Sequence, residues 1–175
     1  MDKLDIVTDE SGNEVVLLPE IIFPNKQNIN WNDVEDYLGK YVGELIEIAE
    51  TRDIIYIGNK FPDEYGGSSY TRKTKGARAK AKANAAQGIR EMVEIATDKV
   101  YRENHKEKHS EDAHNGWFYY VTRFAIPLYN NEKKTGEYNV YSACLVVNHA
   151  ANGKMYLYDV VGIKKEASNP LKTIK

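Results

Sequence analysis

The chain has 175 residues, 42% of them hydrophobic and 29% charged, which suits one globular domain with a sizeable core and excludes a disordered chain. Net charge is −2, no apolar run approaches the ~20 residues that span a bilayer, and the acidic start MDKLDIVTDESG is unlike a secretory signal, so a soluble intracellular protein without a membrane partner is expected. The one cysteine, Cys144 in YSACLVV, excludes an internal disulfide and reads as a buried thiol.

In chain order, LDIV and EVVLLP flank the turn-rich TDESGN and predict a hairpin extension over residues 1–28, bent at Pro19 and Pro24. Asn32 and Glu35 have capping-box spacing before Val34, Leu38, Tyr41 and Val42, where a helix begins. ELIEIAETRDIIYIG fits either continued helix or two strands around Thr51, Arg52 and Asp53; the hairpin is favoured because IIYIG is short, β-rich and closed by Gly58. Residues 75–105 read as one long central helix. Ala77, Ala81, Ala85, Gly88, Met92, Ile95 and Lys99 form its stripe, whose small first half admits another backbone and in which Gly88 marks a bend or a break.

Three β runs follow, WFYYVTRFAIPLY, YNVYSACLVVNHA and KMYLYDVVGIKK, separated by NNEKKTGE and ANG, which is hairpin chemistry. Alternation puts Phe118, Tyr120, Phe124 and Ile126 toward the core and Trp117, Tyr119, Val121 and Arg123 on the other face, with Tyr156 and Tyr158 together on the last strand. That other face is either covered by the N-terminal segment or open as an aromatic platform able to stack bases. The expected fold is therefore α+β in a single domain, 1–175: an N-terminal hairpin and helix, one long central helix, and a C-terminal antiparallel meander packed on it.

Charge is polarised along the chain. Residues 1–60 carry 13 acids against 5 bases, 61–109 carry 7 against 11, and 110–175 carry 6 against 8. Residues 66–90 hold seven Lys/Arg and no acid. Arg72, Lys73, Lys75, Arg78, Lys80 and Lys82, with Tyr119 and Tyr158 on the sheet, are the candidate contacts to nucleic acid or a partner; the alternative is a solvated helix face balanced by the acidic third of the same molecule. Lys75, Arg78 and Lys82 are expected on one flank, and cations at a helix start oppose its macrodipole.

His105, His109 and His114 cluster in RENHKEKHSEDAHNGW. Lys106 and Lys108 stand where H-E-x-x-H would carry its glutamate, and their charges oppose a divalent cation, so no metal is expected. The histidines either complement the dipole at a helix end or serve acid–base chemistry with Arg123, Tyr119, Ser142 and Lys164, as in a metal-independent phosphodiester cleavage. Motifs for nucleoside triphosphates, dinucleotides and α/β-hydrolase chemistry are absent, and no cofactor is expected.

The segments FPDEY, KGARAKAKANAAQGIREMVEIAT, HKEKHSEDAHNGWFYYVTRFAIPLY and NGKMYLYDVVGIKKEASNPL resemble a domain of large polyvalent proteins of phages and integrative conjugative elements, over about Ile29 to Leu171. Neighbours of that group resemble the barnase, EndoU, colicin E5/D and RelE class of ribonucleases. The resemblance implies a mobile-element protein in the cytoplasm of a bacterial host cell. Its implied role is anti-defence, including the anti-CRISPR kind, with a host nuclease or nucleoprotein complex as partner and RNA or DNA as a further one. Two functions follow: an inhibitor that binds such a complex through acidic and basic patches, or a metal-independent ribonuclease using His105, His109 or His114 with Arg123.

Overall fold

The computed structural model describes residues 3–103, 115–166 and 170–172. Strands β1 (Ile6–Thr8) and β2 (Glu14–Leu17) form the N-terminal hairpin. Helix α1 (Trp31–Leu38) is capped by Asn30, whose side chain accepts from the backbone N–H groups of Asn32 and Asp33, so the cap lies two residues before the Asn32 expected from the sequence. Strands β3 (Leu45–Glu47) and β4 (Ile54–Tyr56) are the favoured hairpin. Then come α2 (Phe61–Gly67), α3 (Ser69–Lys73), α4 (Ala77–Ala85), α5 (Ile89–Glu94), β5 (Thr97–Arg102), β6 (Trp117–Asn130), β7 (Lys133–His149), β8 (Met155–Lys165) and β9 (Leu171–Lys172).

Two features overturn the expected fold. The molecule is sheet-dominated, 40% strand against 26% helix, and the sheet is a curled, mixed half-barrel, not a C-terminal meander lying on one long helix. The antiparallel strands β6, β7 and β8 form its middle, joined by a two-residue turn at Asn131 and Glu132 (φ 49° and 69°) and by the Ala150–Lys154 turn. Outside them, β2 adds parallel to β6 and β4 adds parallel to β8, giving the order β1-β2-β6-β7-β8-β4-β3, with β5 on β6 and β9 on β7. The supposed N-terminal extension is thus a working part of the sheet. Val15, Val16 and Leu17 are buried on both faces, which the unbroken apolar run EVVLLP reflects.

The central helix is also not one helix. Residues 86–88 tighten to a 3-10 turn between α4 and α5, and the helical path stops at Glu94; Thr97–Arg102 is strand. Close packing explains the break at Gly88, where a Cβ would come within 3.1 Å of Leu18 Cδ2 and 3.3 Å of Val16 Cγ1. The tightened turn is held from outside. Tyr65 donates its hydroxyl to Lys82 O at 2.5 Å, and Tyr41 donates to Ala86 O at 2.7 Å. Residues 81–89 are all buried, so the alanines serve a helix enclosed on every side by the curl of the sheet. No helix among the described residues is long and apolar enough to cross a membrane.

Candidate nucleic-acid interface

The basic segment folds into α3, a short connection and the first turns of α4. Ser68 caps α3 by accepting from Thr71 N at 3.1 Å, and Gly76 (φ 67°) makes the reversal into α4 that a side chain would strain. Arg72, Lys73, Lys75 and Arg78 are exposed and Lys80 is half-buried. None of these five forms an ion pair with a described residue, and α4 has no acid in its first turn. Two cavities meet at Ala77. One, about 530 Å³, is lined by Tyr70, Lys73, Lys75 and Arg78; the other, about 660 Å³, is lined by Lys26, Lys80 and Lys165 among others. Both border the start of α4, and the basic groove there consists of these two lobes.

Lys82 does not belong to that groove, nor to a flank shared with Lys75 and Arg78. Its side chain is wholly buried, with Nζ 2.6 Å from both Thr71 Oγ1 and Asp159 Oδ1 and beneath the rings of Tyr65 and Tyr70. The cause lies in the enclosure of α4 and in a bulge of β8 opposite Val146, which turns Asp159 toward the interior. Dehydration pushes the Lys82 amine below and the Asp159 carboxyl above their ordinary values, each partly offset by the other's charge.

Sequence reasoning missed Lys26 and Lys165. Lys165 shares strand parity with the buried Ile163, so the alternation of β8 places it on the inner face. Lys26 follows the bend at Pro24, whose distance from α4 no local pattern discloses. The clamp is Asn84: its Oδ1 accepts from Ile22 N (2.9 Å) and Phe23 N (3.1 Å), and its Nδ2 donates to Phe23 O and Lys80 O, both at 2.9 Å. All four of its hydrogen-bonding sites are used, and they tie the Lys26 loop to the helix that carries Lys80. Burial, and then the like charge of Lys26, push the Lys80 amine below the usual lysine range.

The remaining candidates lie elsewhere. His105, His109 and His114 fall outside the described residues. Arg123 sits on the outer face of β6 with Nε 3.1 Å from Glu166 Oε1. Tyr119, also on that face, lies under the Arg102 guanidinium at 5.7 Å, and Tyr158 packs edge-on against Trp117 at 5.0 Å. These aromatics are half-buried, and the described geometry does not bring Tyr119, Tyr158 or Arg123 into the basic groove. The other end of the outer face is covered by a second small core of Val15, Leu17, Ala125 and Val140 with Val7, Tyr138 and Leu171.

No family model, no curated protein and no solved structure matches the chain.

Proposed function

We propose that the chain is an anti-defence protein of a mobile element, which binds and inhibits a host nucleic-acid-targeting complex of the CRISPR-Cas type by occupying phosphate sites on its guide or target strand. The binding half of this reading rests on one observation: four exposed cations and a half-buried fifth gather at the start of α4 with no carboxylate partner among the described residues. Arg72 and Lys73 close α3, where cations suit the helix dipole, whereas Lys75 and Arg78 oppose the dipole of α4 and add nothing to the fold; a polyanion supplies the missing counter-charge. The anti-defence setting comes from the resemblance to polyvalent-protein domains. On the acidic side, Glu35, Asp36 and Asp63 gather on α1 and α2 as a second patch, suited to a basic channel of the same complex.

The ribonuclease alternative draws no support from Arg123, whose guanidinium is engaged by Glu166. The test is a titration of labelled single-stranded and duplex RNA and DNA over a range of salt, alongside target cleavage by a CRISPR-Cas effector with the protein added. Binding that weakens steeply with salt, together with arrested cleavage, is expected. The absence of both binding and inhibition would overturn the reading.

A further inference from the structure

The larger of the two cavities is built differently from the rest of the groove. Lys26, Lys80 and Lys165 converge on it from a loop, a helix and a strand, facing Glu132 from the β6–β7 turn, with Tyr129 and Tyr141 among its walls. Three ammonium groups against one carboxylate leave an excess of +2 around a single half-open cavity of about 660 Å³. This excess is held in place, because the Asn84 clamp fixes the Lys26 loop against Lys80. A fully satisfied buried amide thus joins the loop that leads to Lys26 to the helix that carries Lys80, and β8 brings Lys165 to the same cavity.

An internal phosphodiester carries one negative charge, whereas a phosphomonoester carries about −1.5 to −2 at pH 7. The cavity volume falls within the range of about 300–1,000 Å³ typical of small-ligand sites, and Tyr129, 39% exposed, offers an aromatic surface beside the lysines. We infer that Lys26, Lys80 and Lys165 form a phosphomonoester site that takes a nucleotide with a terminal phosphate, the base resting toward Tyr129. The ligand is either the phosphorylated end of a single strand or a free nucleoside monophosphate. The strand source rests on the proposed function; the phosphate site does not.

The experiment measures anisotropy of labelled twelve-nucleotide single strands bearing a 5′-phosphate, a 3′-phosphate or hydroxyls at both ends, with a nucleoside 5′-monophosphate as a separate ligand in equilibrium dialysis. A phosphorylated end is expected to tighten binding about tenfold or more, since charge-assisted bonds to phosphate are among the stronger ones. That preference fades below about pH 6 as the monoester takes up its second proton. Lys26→Gln and Lys165→Gln, on a loop and a strand and each checked by thermal melt, should each erase the preference while leaving affinity for the hydroxyl-ended strand within about twofold, because the cations of α3 and the start of α4 remain. Equal affinity for all three strands, with no uptake of the monophosphate, overturns the site and leaves the nucleic-acid reading standing. Uptake of the monophosphate that Lys165→Gln abolishes, without binding of any strand, sustains the site and overturns the nucleic-acid reading. If no ligand binds, both fall.

Discussion

Lys82 and Asp159 meet at 2.6 Å in the core, the amine wholly buried and the carboxylate nearly so, with Thr71 Oγ1 on the amine's other side. The Thr71 hydroxyl donates a hydrogen bond to Tyr65 O at 2.6 Å, and Asp159 also accepts from Val160 N at 2.8 Å, so the pair sits in a satisfied network. Removing one partner leaves the other charged and dry. Lys82→Met or Asp159→Leu alone should cost ~3–5 kcal/mol in chemical denaturation, whereas the double replacement should recover most of that loss. Additive losses in the double variant would show that the two groups are not coupled.

Asp53 predicts an acid limb of stability. Burial raises its carboxyl, but hydrogen bonds from Lys99 (2.8 Å), Thr51 and Tyr120 (2.7 Å) outweigh that and hold it below its usual 3.8. The native state therefore binds this proton more weakly than the unfolded chain does. Its stabilising contribution is complete above the unfolded value and disappears as pH falls through the lower folded one. Melting temperature should drop on acidification below pH 3.8, and Asp53→Asn should flatten that part of the profile while lowering the melting temperature at pH 7.

Glu35 works in the opposite direction. Burial, a hydrogen bond shared with Asp63 and the charges of Asp63 and Asp36 raise its carboxyl above the usual 4.5. A raised folded value means that stability falls as pH climbs from 4.5 through it, and the cost is fully present at pH 7. Glu35→Gln should raise the melting temperature at pH 7, and the gain should shrink to nothing below pH 4.5. A variant that melts lower at pH 7 contradicts this account.

Charge reversal at the groove separates binding from folding. Lys75→Glu with Arg78→Glu should leave the melting temperature unchanged or slightly higher, because acids at the start of α4 complement the helix dipole. Polyanion binding should collapse, and on duplex DNA the slope of log K against log salt should fall by about 0.9 for every phosphate that is no longer neutralised. An unchanged slope would assign these side chains to solvent alone.

Local chemistry was readable and distant company was not. The β6–β7 and β7–β8 turns follow from Asn131 with Glu132 and from Gly153, all at positive φ, and the β3–β4 hairpin from short β-rich runs. Nothing within EVVLLP or IIYIG specifies that these strands would add parallel to β6 and β8, because that choice is made by partners about one hundred residues away. The same holds for the groove. Arg72, Lys73, Lys75 and Arg78 are visible as a charged run, but the run contains Lys82 too, and only the position of Asp159 separates the buried cation from the exposed ones. Helical spacing carried the central helix past its end because Ile95 and Lys99 extend the stripe by arithmetic, although Lys99 is on a strand and bonded to Asp53.

The enclosure of α4 has a consequence for the order in which the molecule can assemble. The three strands at the middle of the sheet all follow α4 in the chain, and Asp159 lies 77 residues beyond Lys82. During synthesis from the N-terminus, at about 5–20 residues per second, α4 leaves the ribosome before any of those strands does. Its amine stays hydrated until β8 arrives. Both β2 and β4 likewise wait for edges that have not yet been made, so the native sheet closes late and through pairings of long sequence separation, a topology that folds slowly. A chain interrupted before β8 keeps Lys82 in water and its alanine-rich helix uncovered, open to proteases and to chaperones. Arrival of the Asp159 carboxylate is thus the event that allows the interior to dry, and it ties completion of the core to the synthesis of β8.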